Sequence, residues 1–85
     1  MAGTLHIVRK AEDTKAFECI KAQAEEDLLS LLLLQEGVRA RPSLGAKTFL
    51  LREDADMSQI PPDVHPIGYD ETVQLLLDHD SVVVW

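Results

Sequence analysis

Short apolar runs, separated by amphipathic and polar stretches, recur along the whole chain. Leu5-His6-Ile7-Val8 is a compact, mostly aliphatic run and predicts a first strand. Ala11 to Glu26 holds neither Gly nor Pro and is rich in helix formers. Within it and just beyond, Phe17, Ile20, Ala24 and Leu28 fall on one stripe at helical spacing. Leu31-Leu32-Leu33-Leu34 favours helix by propensity alone. Its brevity, its unbroken apolar character and the Gly37 that follows predict instead a strand buried on both faces. Arg39 to Gly45 contains Pro42 and Gly45 and predicts a loop with room for one helical turn. Thr48-Phe49-Leu50-Leu51 predicts a third strand. Ala55 to Asp63 is polar and runs into Pro61-Pro62, which leaves space for a short helix at most. Pro66-Ile67-Gly68-Tyr69 predicts a fourth strand. Asp70 follows as an N-cap, with Glu71 at the positive end of a second helix. Val73, Leu76 and Leu77 form that helix's expected buried stripe, and Ser81-Val82-Val83-Val84-Trp85 is a β-branched last strand.

Strands alternating with helical stretches predict an α/β fold: one domain over residues 1–85, a small three-layer sandwich around a mostly parallel sheet of five strands. The link from Gly37 to Lys47 is only about ten residues, the lower limit for a parallel crossover. It is either a trimmed crossover or a sign that this pairing is not parallel. A parallel sheet needs cover on both faces. Two good helices and one short one barely supply it for five strands, so an exposed edge or face is expected, with a second subunit as its natural cover.

Composition supports a folded chain with little to spare. Of the 85 residues 46% are apolar but only 5% aromatic, so aliphatic side chains do most of the packing. A domain this small buries a modest fraction of its surface and gains from association. The formal net charge is -7, with 8 basic residues against 15 acidic ones. That balance argues against electrostatically driven binding to nucleic acid. The single cysteine, Cys19, cannot form an internal disulfide, and no Cys/His cluster offers a metal site, which fits a reducing compartment. The N-terminal residues lack the basic-then-apolar pattern of a signal peptide, and the leucine run is too short to span a bilayer, so a cytoplasmic protein without cofactor is expected.

Four features taken in order resemble the DsrH/TusB family of sulfur-relay subunits. They are the opening Thr4-Leu5-His6-Ile7-Val8, the run Leu31-Leu32-Leu33-Leu34-Gln35-Glu36-Gly37-Val38, Tyr69-Asp70 where a Tyr closes a strand before a helix, and the closing Val84-Trp85. The likeness covers nearly the whole chain. It implies a DsrEFH-like α/β subunit that assembles with DsrE/TusD-like and DsrF/TusC-like subunits. It also implies sulfurtransferase work: persulfide sulfur passes to a DsrC/TusE-like carrier, for 2-thiolation of the tRNA wobble uridine or for sulfur oxidation. The main sulfur-carrying cysteine of such complexes lies on the DsrE/TusD-like subunit. Cys19, within Phe17-Glu18-Cys19-Ile20-Lys21, resembles the cysteine of DsrH-type members. The sequence departs from the family after Gly37, where it is shorter, and at Asp54-Ala55-Asp56-Met57, where an Ala-Arg-Gly stretch is usual. Those departures keep a stand-alone, non-catalytic homo-oligomeric binding module in view as the alternative.

Cys19 lies ~140° around the helix from the middle of the Phe17/Ile20/Ala24/Leu28 stripe, and so points away from the expected core. Lys15, one turn earlier, favours its thiolate form. An accessible thiolate is what a persulfide relay needs; the competing reading is an inert thiol. His6 reads as a hydrogen-bonded structural residue in preference to an acid-base group. Nothing in the sequence pairs His65 or His79 with a nucleophile, and Gly37 and Gly45 do not make a phosphate-binding loop. The acids at Glu25-Glu26-Asp27 and Glu53-Asp54-Asp56 read as solvated faces or turns. Trp85 either closes the sheet or anchors an interface.

Overall fold

The computed structural model describes residues 3–25, 28–40 and 46–85. Five parallel strands form one sheet: β1 (Thr4–Val8), β2 (Leu29–Leu33), β3 (Lys47–Leu51), β4 (Val64–Ile67) and β5 (Ser81–Val84), in spatial order β4-β3-β2-β1-β5. Helices α1 (Thr14–Ala24) and α2 (Tyr69–Leu77) lie on opposite faces, which gives the three layers of an α/β sandwich. Strand alternation sorts the core accordingly. Val8, Leu29, Leu31, Leu33 and Leu50 pack against Ile20 on the α1 face. Leu5, Ile7, Leu32 and Ile67 pack with Leu75 and Leu76 on the α2 face. β2 is buried on both sides, which is why leucines fill it without alternation despite their helical propensity.

The short link from β2 to β3 is a trimmed parallel crossover. A 3-10 turn, Gln35–Arg39, starts it directly after β2. The Leu34 N–H donates to the Val8 carbonyl at 3.1 Å and the Gly37 N–H to the Arg9 carbonyl at 3.1 Å, so the turn lies against the end of β1. This closeness depends on Gly37: a Cβ there would stand 2.2 Å from the Val8 carbonyl oxygen. The helical turn thus comes earlier than the Arg39–Gly45 stretch in which it was expected, and residues 41–45 of that stretch lie outside the described residues.

Several boundaries differ from the sequence expectation. α1 begins at Thr14 and not Ala11, because Asp13 caps it by accepting the Ala16 N–H at 3.1 Å. Glu26, the expected helix end, lies outside the described residues. Leu28 falls beyond the helix and is exposed, and Ala16 joins Ile20 as a buried position of α1. β4 begins at Val64, and Tyr69 opens α2 where it was expected to close a strand. Gly68, not Asp70, occupies the N-cap, and its N–H donates to the Glu71 carboxylate at 3.1 Å. The expected Val73/Leu76/Leu77 stripe is also revised: Leu75 and Leu76 pack on the sheet, whereas Val73 and Leu77 are exposed. The apolar arc of α2 is wider than the strip of sheet beneath it. Among the described residues no helix is long and apolar enough to cross a membrane.

Gly37 in the 3-10 turn and Gly68 just after β4 should respond differently to the same change. Gly37→Ala forces a Cβ into backbone that cannot yield and should cost about 3 kcal/mol. Gly68→Ala meets the Arg52 guanidinium, 2.8 Å away on a flexible side chain, and replaces an N-cap glycine by a poorer N-cap residue, so it should cost at most about 1 kcal/mol. Urea unfolding of the two variants checks this, and similar midpoints would contradict it.

Candidate functional site

Cys19 sits mid-way along α1. The helix turns Ala16 and Ile20 onto the sheet and leaves Cys19 exposed, with a free thiol. Lys15, one turn before it, is exposed as well. The outward orientation expected from helical spacing is the one observed.

His6 is buried on the same face of the sheet, beneath α1. Trp85 donates its indole N–H to His6 Nδ1 at 3.0 Å, and the two rings stack at 6.1 Å with 22° between planes. An indole nitrogen can only donate. Nδ1 is therefore the acceptor, and the imidazole hydrogen sits on Nε2, 2.7 Å from Gln23 Oε1. The Gln23 amide in turn donates to Thr4 Oγ1 at 3.4 Å. The backbone holds Trp85 in place: its N–H donates to the Ile7 carbonyl at 2.9 Å, and its carbonyl accepts from Arg9 Nε at 2.7 Å. Both His6 nitrogens are engaged, so this histidine ties β1, α1 and β5 together and has no nitrogen free for proton transfer. Trp85 closes the sheet here. His65 is exposed beside Phe49 at 5.7 Å, and His79 hydrogen-bonds the Leu75 carbonyl at 2.8 Å at the end of α2. Among the described residues neither histidine meets a nucleophile.

The carboxyl ends of the strands carry the remaining polar residues. The connections after β1, β2 and β3 run over the α1 face, and the one after β4 runs over the α2 face. The winding therefore reverses between β3 and β4, the place where open α/β sheets form a crevice. A cleft of about 340 Å³ opens there, lined by Arg52, Glu53, Gly68, Tyr69, Asp70 and Glu71. Arg52 lies 4.0 Å from the Glu71 carboxylate. Three acids against one base leave the cleft unsuited to an anion, although it lies at a helix N-terminus. A neighbouring hollow of about 260 Å³ is lined by Gln35, Glu36, Val38, Arg39, Asp54 and Asp56. Gln35 takes a left-handed backbone conformation (φ 53°), held by donation of its N–H to the Asp54 carboxylate at 2.7 Å. Glu36 pairs with Arg39. The Ser58 hydroxyl and N–H hold the Asp56 carboxyl below the usual range. Among the described residues no group of three or more His, Cys, Asp or Glu could hold a metal ion.

Sequence reasoning named Cys19, His6 and Trp85 separately. It did not find the Trp85–His6–Gln23–Thr4 chain, whose directly bonded members are up to 79 positions apart, nor the cleft at Arg52 and Glu71. Only the strand order brings these residues together.

Trp85→Phe removes the donor to a buried nitrogen and should lower stability by about 2 kcal/mol. Nitrogen chemical shifts of His6 should report the Nε2–H tautomer in the wild type and a mixture in the variant. An unchanged unfolding midpoint together with an unchanged tautomer would contradict this role. Compared with known proteins, the sequence matches no protein-family model and no curated protein at a significant level.

Proposed function

We propose that this chain is a cytoplasmic accessory subunit of a sulfur-relay complex, with Cys19 as a sulfur-carrying thiol. The observation that carries the reading is the exposed, free thiol of Cys19 on α1. Further support comes from the run Leu31 to Val38, the longest of the motifs that resemble the DsrH/TusB family. It forms one structural unit, a strand buried on both faces and a 3-10 turn locked against β1 by Gly37.

In this reading the Cys19 thiolate attacks the outer sulfur of a donor persulfide. The donor's S–S bond breaks, the donor leaves as a thiolate, and Cys19 becomes a persulfide. The thiolate of a DsrC/TusE-like carrier then attacks that outer sulfur and regenerates the Cys19 thiolate, with no net oxidation. Partner subunits of the DsrE/TusD and DsrF/TusC kinds would supply the principal sulfur site. The net charge of -7 leaves contact with tRNA to other components.

Incubation of the full chain with a persulfide donor, followed by intact-mass measurement, tests the reading. A gain of one sulfur atom that a reductant reverses is expected, with no gain in Cys19→Ser. That substitution at an exposed site should change stability by less than about 0.5 kcal/mol. Failure of the wild type to load under conditions that load a known carrier would remove Cys19 from the relay.

A further inference from the structure

The α2 face of the sheet is incompletely covered, and the uncovered part is apolar. Val82 and Val84 are 41% and 58% exposed, and Val73 and Leu77 on α2 are 56% and 74% exposed. These four side chains belong to one surface. The register pairs Val82 with Leu5 and Val84 with Ile7, so both valines point to the face that carries α2. Tyr69, Val73 and Leu77 follow one another at successive turns, about 100° around the axis from Leu75 and Leu76. In a right-handed crossover from β4 to β5, that flank of α2 turns toward β5. The result is an apolar shelf of valines under an apolar helix flank, open at the edge of the sheet.

β5 is itself an unprotected edge. It carries no proline and no charge, the usual devices against edge pairing. The N–H groups of Ser81 and Trp85 point inward, to the carbonyls of Gly3 and Ile7. By strand alternation the polar backbone groups of Val82 and Val84 point outward.

We infer that β5 pairs antiparallel with β5 of a second copy of this chain, about a twofold axis at Val83, to give a continuous ten-stranded sheet. One alternation sets both conditions of the pairing, and among the registers that meet them this one alone pairs both outward residues, Val82 and Val84, within β5 of each copy. Outward-pointing backbone groups must face one another, and side chains on the same face must lie opposite one another. Val82 opposite Val84 of the second copy satisfies both, twice by symmetry, with Val83 opposite its own counterpart as a non-hydrogen-bonded pair. The twofold axis runs through the sheet, so both α2 helices lie on one side and their Val73/Leu77 flanks converge over the four paired valines. Charge at the ends agrees as well. Asp80 precedes β5, and Arg9 reaches the Trp85 carbonyl at its far end. Neither takes part in a salt bridge among the described residues. Antiparallel pairing sets the acid at the end of one copy near the base at the end of the other, which offsets part of the repulsion between chains of net charge -7. The inference does not depend on sulfur chemistry.

Sedimentation of the full chain at micromolar concentration should give twice the 9.5 kDa chain mass. Val84→Lys places a charge opposite Val82 of the other copy and should raise the dimer dissociation constant by about tenfold or more. In a Cys19→Ser background, Val83→Cys should cross-link on mild oxidation, because a non-hydrogen-bonded antiparallel pair lies within disulfide reach. Val84→Cys should not, because its counterpart is a valine. A monomer overturns the inference, including one that shields β5 only when another protein is added. So does a dimer that is indifferent to Val84→Lys and not linked through Val83→Cys.

Discussion

A parallel sheet has no face suited to water, and the described residues of this chain must cover two. The structure divides the work unequally. The α1 face receives α1, the Gln35–Arg39 turn and the connection from β3 to β4, with Ala55 and Ile60 packed inward. The α2 face receives one helix of nine residues. The inner strands β1 and β2 are sealed by this arrangement, and β5 at the edge is left with every residue exposed. The tight turn at Gly37 and the open valine edge are two consequences of the same economy. A longer crossover after β2 would not have needed the close approach to Val8, and a longer α2 side would have hidden Val82 and Val84.

The half-buried polar chain from Trp85 through His6 to Gln23 and Thr4 offsets the weakness of that edge. β5 has little apolar burial of its own, and the side chain of Trp85 provides what the valines do not. It gives a stacked ring, an indole N–H for a buried imidazole, and backbone groups held by Ile7 and Arg9. Register between β1 and β5 therefore rests on a polar network on the α1 face, which leaves the other face of β5 free.

Much of the architecture was legible in the chain. The Leu31–Leu34 run, short and followed by Gly37, read as a doubly buried strand against its helical propensity, and β2 is one. The off-stripe position of Cys19 followed from helical spacing alone. What was not legible depends on tertiary placement. Val73 and Leu77 share a helical stripe with no signal that the sheet below would stop short of them. Asp70 is a good N-cap by type, but Gly68, one residue before Tyr69, has the extended backbone that starts the helix and an N–H within reach of Glu71. The clustering of Arg52 with Glu71 arises from strand order, which no local pattern encodes.

Pairing of β5 with its own copy is what completes the α2 face, and amide hydrogen exchange of the β5 residues, followed as a function of protein concentration, tests it most directly. Val83 and Trp85, whose N–H groups face β1, should be protected at every concentration. Val82 and Val84, whose N–H groups face outward, should gain protection together as concentration rises. Exchange of Val82 and Val84 at unprotected rates at the highest concentration, while Val83 and Trp85 stay protected, would contradict it.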